Sequence, residues 1–379
     1  MKNLFILLFA VVFCFIVNAQ TTKTILWDNL ERQYLEYVPS SYNAGTPAPV
    51  LFVFHGLGDD MDNAFVSFGF KAIADEHGWI LIVPQAADFT FQNMPIPAWN
   101  SGISLSYGNY NIIVSEGIDD SGMMMAILDD LIGNYNVDQN NVFCTGFSMG
   151  GFMTNRMAME HGDRINAIAS VSGTIGNVIS SSSPVGHVSA MHIHGTDDQV
   201  VTYEDASYGG YVSVGLGAEA TVEYWRNYNQ CAVTSIHTDY PDNANDGLIF
   251  EKDLYEGGIN GAKTVLIKVT GGDHDWYYTP DYDIDYTTEI YNFFASCMVP
   301  TSIVEKTPVS VNVYPNPTKD ILHVEAENIA KMEVYNALGQ LMTSTTNTDI
   351  PVSSYSEGLY TVSIIFTDGR VLTRKVMVK

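Results

Sequence analysis

The sequence predicts an α/β unit built on a mostly parallel sheet with helices on both faces, followed by a small all-β sandwich. Three observations carry that expectation. Apolar runs such as residues 50–54 and 79–83 have the character of strands buried on both faces, and they alternate with helical patterns at 70–76, 118–135, 150–160, 219–229 and 287–296. The run Val142-Phe143-Cys144-Thr145 enters Gly146-Phe147-Ser148-Met149-Gly150 and a helical pattern follows, so a serine is set on a tight strand-to-helix turn. Beyond residue 298 helical periodicity stops, and short alternating runs separated by turn residues take over.

Taken in order, residues 1–19 read as a signal peptide. Lys2 supplies the positive start, 4–17 is apolar, and Val17-Asn18-Ala19 offers small residues before a cut ahead of Gln20. That run is too short for a membrane span, and no later segment reaches the necessary length. The catalytic domain is expected over 20–297. Strands at 24–27 and 33–38 lead to 50–54, which ends in the loop His55-Gly56-Leu57-Gly58-Asp59-Asp60. The aromatic, proline-bearing stretch 84–111 reads as a surface loop near the ligand site. Further strands are expected at 142–145, 167–171, 187–194, 248–255 and 265–269. Residues 298–310, with two prolines and no periodicity, read as a linker. Residues 311–379 carry alternating runs at 322–325, 331–335, 360–366 and 371–378, the pattern of a sandwich.

The chain has 379 residues, 46% of them apolar, and a formal charge of −26. Such acidity disfavours phosphate backbones and anionic membrane surfaces as partners. Cys14 leaves with the signal, so Cys144, Cys231 and Cys297 remain. Cys144 lies in a buried strand pattern, where a thiol acts as a small hydrophobe. That leaves Cys231 and Cys297 as an expected disulfide between two helix ends.

A serine hydroxyl needs a base, and the base needs a carboxylate to hold it. Downstream of Ser148, a strand ends in His194-Gly195-Thr196-Asp197-Asp198, and a later one in Gly271-Gly272-Asp273-His274-Asp275-Trp276. Both loops leave strands at their carboxyl ends, where open α/β sheets place ligands. Ser148, Asp198 and His274 thus form a candidate triad by order; spacing alone leaves Asp197 equally eligible as the acid. The oxyanion donors are expected to be the backbone N–H groups of Met149 and Leu57. His55 reads as loop-shaping. His192 and His194 share one strand face and suggest part of a zinc set, but a third strong ligand at close spacing is missing. No metal and no cofactor are expected. Aromatic residues Phe89, Phe91, Trp99, Tyr107, Tyr203, Tyr208, Tyr211, Trp276 and Tyr277 cluster in candidate rim segments. Trp99, Tyr203 and Trp276 are the expected substrate contacts.

Residues 33–297 resemble the secreted polyhydroxybutyrate-depolymerase and feruloyl-esterase-like family of α/β hydrolases. The resemblance rests on Phe54-His55-Gly56, Trp99-Asn100, Ile118-Asp119-Asp120-Ser121-Gly122 and the three motifs around Ser148, Asp198 and His274. It implies the α/β-hydrolase fold, puts the acid on Asp198 and the base on His274, and makes a cysteine pair late in this stretch familiar. The implied substrates are feruloyl or acetyl esters of polysaccharides such as those of plant cell walls, or a polyester such as polyhydroxybutyrate. One departure is Val200-Val201-Thr202-Tyr203, which lacks the proline the family often carries there.

The tail resembles the sorting domain of the type IX secretion system of Bacteroidetes, through Val313-Tyr314-Pro315-Asn316-Pro317, Val334-Tyr335-Asn336-Ala337-Leu338-Gly339-Gln340, Gly358-Leu359-Tyr360 and the closing Arg374-Lys375-Val376-Met377-Val378-Lys379. That implies passage across the outer membrane to the medium or cell surface, with the type IX machinery as partner. The β pattern alone fits a carbohydrate-binding module equally well. Two other classes stay open on sequence: a peptidase of the same fold, told apart by amide cleavage, and a non-catalytic surface binding protein, which would keep its ligand after loss of Ser148 or His274.

Overall fold

A computed structural model describes residues 19–107, 110–300, 311–326, 328–337, 339–366 and 371–379. The expected signal segment, apart from Ala19, and residues 301–310 of the expected linker lie outside them. The chain divides into two compact units, Met1–Thr301 and Ser302–Lys379.

In the first unit ten strands form one sheet. They are β1 (Ala19–Trp27), β2 (Leu30–Val38), β3 (Ala48–Phe54), β4 (Ile80–Pro84), β5 (Val137–Phe147), β6 (Ala167–Val171), β7 (Ser189–Gly195), β8 (Ile236–Asp239), β9 (Ile249–Tyr255) and β10 (Thr264–Thr270). Across the sheet they run β1-β2-β4-β3-β5-β6-β7-β10-β9-β8. The six central strands from β4 to β10 are mutually parallel. The two strands at either margin add antiparallel pairs.

Residue composition explains the layering. Every residue of β3, β4, β6 and β7 is buried, as strands covered on both faces must be. Alternate residues serve opposite cores. Phe52, Phe54, Val142 and Cys144 face one, whereas Leu51, Val53 and Phe143 face the other. Helices α3 (Asp120–Asn134), α4 (Met149–His161) and α5 (Ala218–Asn229) cover the first core through residues such as Met124, Leu128, Met153 and Trp225. Helices α1 (Met61–Ser67), α2 (Phe70–His77) and α6 (Tyr286–Cys297) cover the second through Phe65, Phe70, Ile290 and Phe294.

Two elements depart from the sequence reading. Helix α1 was not foreseen; it is short, and its start is defined by the Asp60 carboxylate accepting the Asn63 backbone N–H at 2.8 Å. Residues 84–111 are not a bare loop. They fold into hairpins Asp88–Phe91 with Met94–Pro97 and Ser104–Tyr107 with Tyr110–Ile113.

The predicted Cys231–Cys297 disulfide is not formed: both cysteines are free thiols. Cys231 follows α5 and Cys297 ends α6, helices that cover opposite faces of the sheet. Each sulfur has its own neighbours. Cys231 Sγ donates to the Ala262 carbonyl at 3.4 Å, and Cys297 Sγ is 3.9 Å from Ser296 Oγ. Cys144 is buried, and burial pushes its thiol well up.

The second unit is a sandwich of a three-stranded and a four-stranded antiparallel sheet. Leu322, Val324 and Ile350 from one sheet meet Met332, Val334, Val362, Ile364 and Val376 from the other in a core of its own. No helix among the described residues is long and apolar enough to cross a membrane.

Candidate active site

The turn between β5 and α4 holds Ser148 at φ 55°, ψ −120°. A non-glycine residue with positive φ outside the common left-handed basin is strained, and the surrounding structure must impose it. Here it does so through close packing. A Cβ on Gly150 would lie 2.1 Å from the Phe54 carbonyl oxygen, and one on Gly146 would lie 2.5 Å from the Gly150 oxygen. Only glycines let strand, turn and helix approach this closely. Ser148 N–H donates to the Val171 carbonyl at 2.8 Å, tying the turn to β6.

Asp198 and His274 are brought into contact from separate loops. His274 Nδ1 is 2.7 Å from Asp198 Oδ2. The other carboxylate oxygen, Oδ1, accepts the backbone N–H groups of Val200 and Val201, each at 2.8 Å. Burial is the largest single influence on this carboxyl and pushes its pKa up. The hydrogen bonds from His194 and His274, the His274 charge and the Val201 N–H together overcome it and hold the carboxyl well below the usual range. Asp197 makes no such contact with His274; its carboxylate is exposed and accepts from Thr196 Oγ1 at 3.2 Å.

The ring of Phe147, the residue before Ser148, lies 4.7 Å from the His274 imidazole. Sequence reasoning missed it because Phe147 sits at the variable position of the serine motif. Among the described residues Ser148 Oγ takes no hydrogen bond, and His274 Nε2, opposite the nitrogen held by Asp198, is likewise free.

The loop after β3 approaches from the other side. A Cβ on Gly56 would be 3.7 Å from the Ser148 Cβ. His55 is fully buried. Its Nδ1 is 2.7 Å from the Gly56 carbonyl and its Nε2 accepts the Ala86 N–H at 3.1 Å, so Nδ1 carries the proton. Burial lowers its pKa, which keeps the ring in this neutral form. In a trans peptide the C=O and the following N–H point opposite ways. Pinning the Gly56 oxygen therefore aims the Leu57 N–H. Met149 opens α4, in the turn whose N–H groups lack intrahelical acceptors.

A cavity of about 180 Å³ opens at the serine. Leu57, Ser148 and Met149 line it together with Phe89, Phe91, Ile96, Ile103, Leu105, Val114, Phe152, Val201, Tyr208 and Val214. Of the expected rim aromatics, Phe89, Phe91 and Tyr208 are in this wall, and the Tyr107 side chain lies outside the described residues. Trp99, Tyr203 and Trp276 are not, which corrects the expected substrate contacts. Trp99 is 0% exposed and donates its indole N–H to the His55 carbonyl at 2.9 Å. Trp276 is buried flat against Phe68 at 4.5 Å, and Tyr203 is buried with its hydroxyl on Glu219. All three are large rings at the base of loops, where filling the core outweighs contact with solvent.

The order and direction of the strands, with Ser148 after β5 and the two partner loops after β7 and β10, decide the fold. The first unit has the α/β-hydrolase fold. Residues 41–209 match the phospholipase/carboxylesterase family. Residues 312–379 match the secretion system C-terminal sorting domain. The chain is 26% identical over 210 residues to a bifunctional acetylxylan esterase/xylanase of Neocallimastix patriciarum, covering 55% of this chain and 26% of that protein. It is 26% identical over 262 residues to feruloyl esterase D of Neurospora crassa, covering 68% of this chain and 78% of that one. It is 24% identical over 245 residues to poly(3-hydroxyalkanoate) depolymerase C of Paucimonas lemoignei, covering 65% and 53%. The chain thus spans about a quarter and about half of the first and third of these relatives. Among solved structures, the acetyl xylan esterase from Aspergillus awamori superimposes with a TM-score of 0.50 at 13% identity, over 73% of this chain and 99% of that one.

Proposed function

We propose that the protein is an exported serine esterase in which Ser148 is the nucleophile, His274 the general base and Asp198 the acid that fixes the imidazole. The observation that carries this is the 2.7 Å contact between His274 Nδ1 and the buried Asp198 carboxylate, in loops beside the strained serine turn. With Nδ1–H held by the carboxylate, Nε2 is the free base. It takes the Ser148 proton as Oγ bonds to the ester carbonyl carbon, then passes that proton to the departing alcohol. Water repeats the sequence on the acyl-enzyme. Their hydrogen bond closes as substrate seats, since such contacts tighten in the reacting complex. The negative oxygen is received by the N–H groups of Met149 and Leu57, each worth about 3 kcal/mol of transition-state stabilisation. The Phe147 ring lies tilted against the imidazole and limits where that ring can move.

The acyl side of the substrate is bulky and apolar. On the scale where one water needs roughly 10–15 Å³, the cavity holds on the order of ten heavy atoms, several times an acetyl group. Its wall offers aliphatic and aromatic side chains and no charged residue, which suits an arylacyl ester such as feruloyl on polysaccharide, or a hydroxyalkanoate polyester. The sorting-domain match over 312–379 supports type IX export to the medium or cell surface. The test is an acyl series of chromogenic esters with wild-type and Ser148→Ala protein. Turnover should vanish in the variant and rise from acetyl to butyryl, hexanoyl and feruloyl in the wild type. Undiminished turnover by Ser148→Ala would refute the mechanism, and a preference for acetyl would refute the substrate class. Ferulate release set against polyester clearing then separates the two polymers.

A further inference from the structure

Behind Asp198 runs a line of buried polar side chains that the acyl-transfer scheme does not use. Ser170 on β6 and His192 on β7 are partners in the parallel pairing of those strands. His192 and His194 are two apart on β7, so both project to the same face. Ser170 Oγ is 2.8 Å from His192 Nδ1, and His192 Nε2 is 3.0 Å from His194 Nδ1. His194 Nε2 lies 2.8 Å from the Val201 carbonyl and 3.2 Å from Asp198 Oδ2. All four side chains, Ser170, His192, His194 and Asp198, are buried.

Hydrogen-bond complementarity constrains the protons. His194 Nε2 faces two acceptors, so it carries a hydrogen, aimed mainly at the nearer Val201 carbonyl and shared with the carboxylate. With a neutral ring its Nδ1 is then an acceptor, and His192 Nε2 must donate to it. His192 Nδ1 in turn accepts from the Ser170 hydroxyl. For neutral rings this assignment gives every ring nitrogen a partner; the reverse chain, ending on the Met191 carbonyl 3.4 Å from Ser170 Oγ, needs a charged His194. A buried imidazole without partners would be costly, so the line is a single unit.

We propose that His192 and His194 are positioning residues for Asp198: a one-way chain of neutral imidazoles, begun by Ser170, clamps the acid and its 198–201 turn. His194 anchors the Val201 carbonyl, while the Val200 and Val201 N–H groups hold Oδ1. The same His194 N–H drains charge from Oδ2, the oxygen that holds His274. The other ionisable groups around the chain are Tyr203, 5.6 Å from the His194 ring and itself beside Glu219 and Lys268, and Tyr286, which feels the Asp198 charge. The proposal rests on the Ser148–His274–Asp198 reading above.

The test uses the full chain with His194→Phe, His192→Phe and Ser170→Ala, each assayed for kcat and KM across pH on one chromogenic ester. Losing the N–H on Oδ2 leaves more negative charge for His274, so its apparent pKa in kcat/KM should move upward. At the same time kcat should fall roughly tenfold, as expected when a general base is imperfectly held, with KM within about twofold. Ser170→Ala, farthest from the acid, should move both in the same direction by less. Unchanged kcat and pH profile in folded His194→Phe overturns the proposal, provided Ser148→Ala and His274→Ala are inactive. If those two controls keep wild-type turnover, the triad reading fails instead. Nitrogen-15 NMR of histidine-labelled wild-type protein needs no variant. It should show both rings neutral with the proton on Nε2 at pH 7, and a charged His194 or a proton on His192 Nδ1 overturns the proposal.

Discussion

His55 shows how one side chain can matter without meeting substrate. It is buried, its Nδ1–H fixes the Gly56 carbonyl, and the Leu57 N–H direction follows from peptide geometry. Replacing it by alanine should lower kcat by up to about 10²–10³, the loss typical of one oxyanion donor, while KM changes little. Steady-state kinetics on a short-chain ester check this, and an unchanged kcat would show that the loop holds itself. The Asp198→Asn change probes the other side of the site. It keeps the shape but presents a wrong partner to His274 Nδ1, and a fall of roughly 10⁴ in kcat is expected. Gly150 tests the turn itself. With the Phe54 oxygen 2.1 Å from any added Cβ, Gly150→Ala should destabilise by about 3 kcal/mol or more, read as a shift in the urea midpoint.

At the level of elements, the segment between β4 and α3 supplies much of the cavity wall beside Ser148. Phe89 and Phe91 come from its first hairpin and Ile103 and Leu105 from its second stretch. The segment is anchored below by a buried ion pair. Arg32 Nη2 is 2.6 Å from Asp120 Oδ1, and Asp120 Oδ2 accepts the Asn100 N–H at 2.7 Å. Burial pushes the Asp120 carboxyl up, against the pull of Arg32. Removing one partner leaves the other charge buried alone, so Asp120→Ala should cost about 3–5 kcal/mol. Phe89→Ala and Phe91→Ala should act differently. They should leave acetyl ester turnover near wild type and reduce kcat/KM for feruloyl esters severalfold, since one large apolar contact is worth about 1–3 kcal/mol. Equal losses on both esters would mean that the hairpin supports the fold and not the acyl group.

For the molecule as a whole, acidification is the revealing variable. His55 and His192 are buried, and burial holds both below the ordinary imidazole pKa, His192 further lowered by His194. The unfolded chain therefore takes up their protons first. Stability is full above about pH 6.5 and falls below it by about 1.4 kcal/mol per pH unit for each ring. Asp198, with its depressed pKa, adds a contribution present above about pH 3.9 and lost as pH drops through its lower folded value. Relief of repulsion in a chain of formal charge −26 works the other way, but exposed carboxylates titrate mainly below about pH 5. Urea unfolding at pH 7.5 and 5.5 should thus give a clearly lower midpoint at 5.5, and equal midpoints would contradict the buried neutral rings.

Much of the fold is legible in the sequence alone. Strand runs such as 50–54 and 167–171 announce themselves because a strand covered on both faces tolerates only apolar residues. The serine turn shows because its glycines are forced by backbone contact. Ser148, Asp198 and His274 stand out as candidates because each ends or follows a strand on one edge of a parallel sheet. Other features depend on which distant segments meet. Trp99 and Phe89 look alike along the chain, yet one fills the core beneath His55 and the other lines the cavity. Cys231 and Cys297 look like a pair along the chain, yet the structure holds both as free thiols. The Ser170–His192–His194 line joins two strands, and a spacing along one of them suggests a metal as readily as a relay. Local patterns record what each segment must bury; which atoms then come within hydrogen-bond reach is settled only by packing between segments.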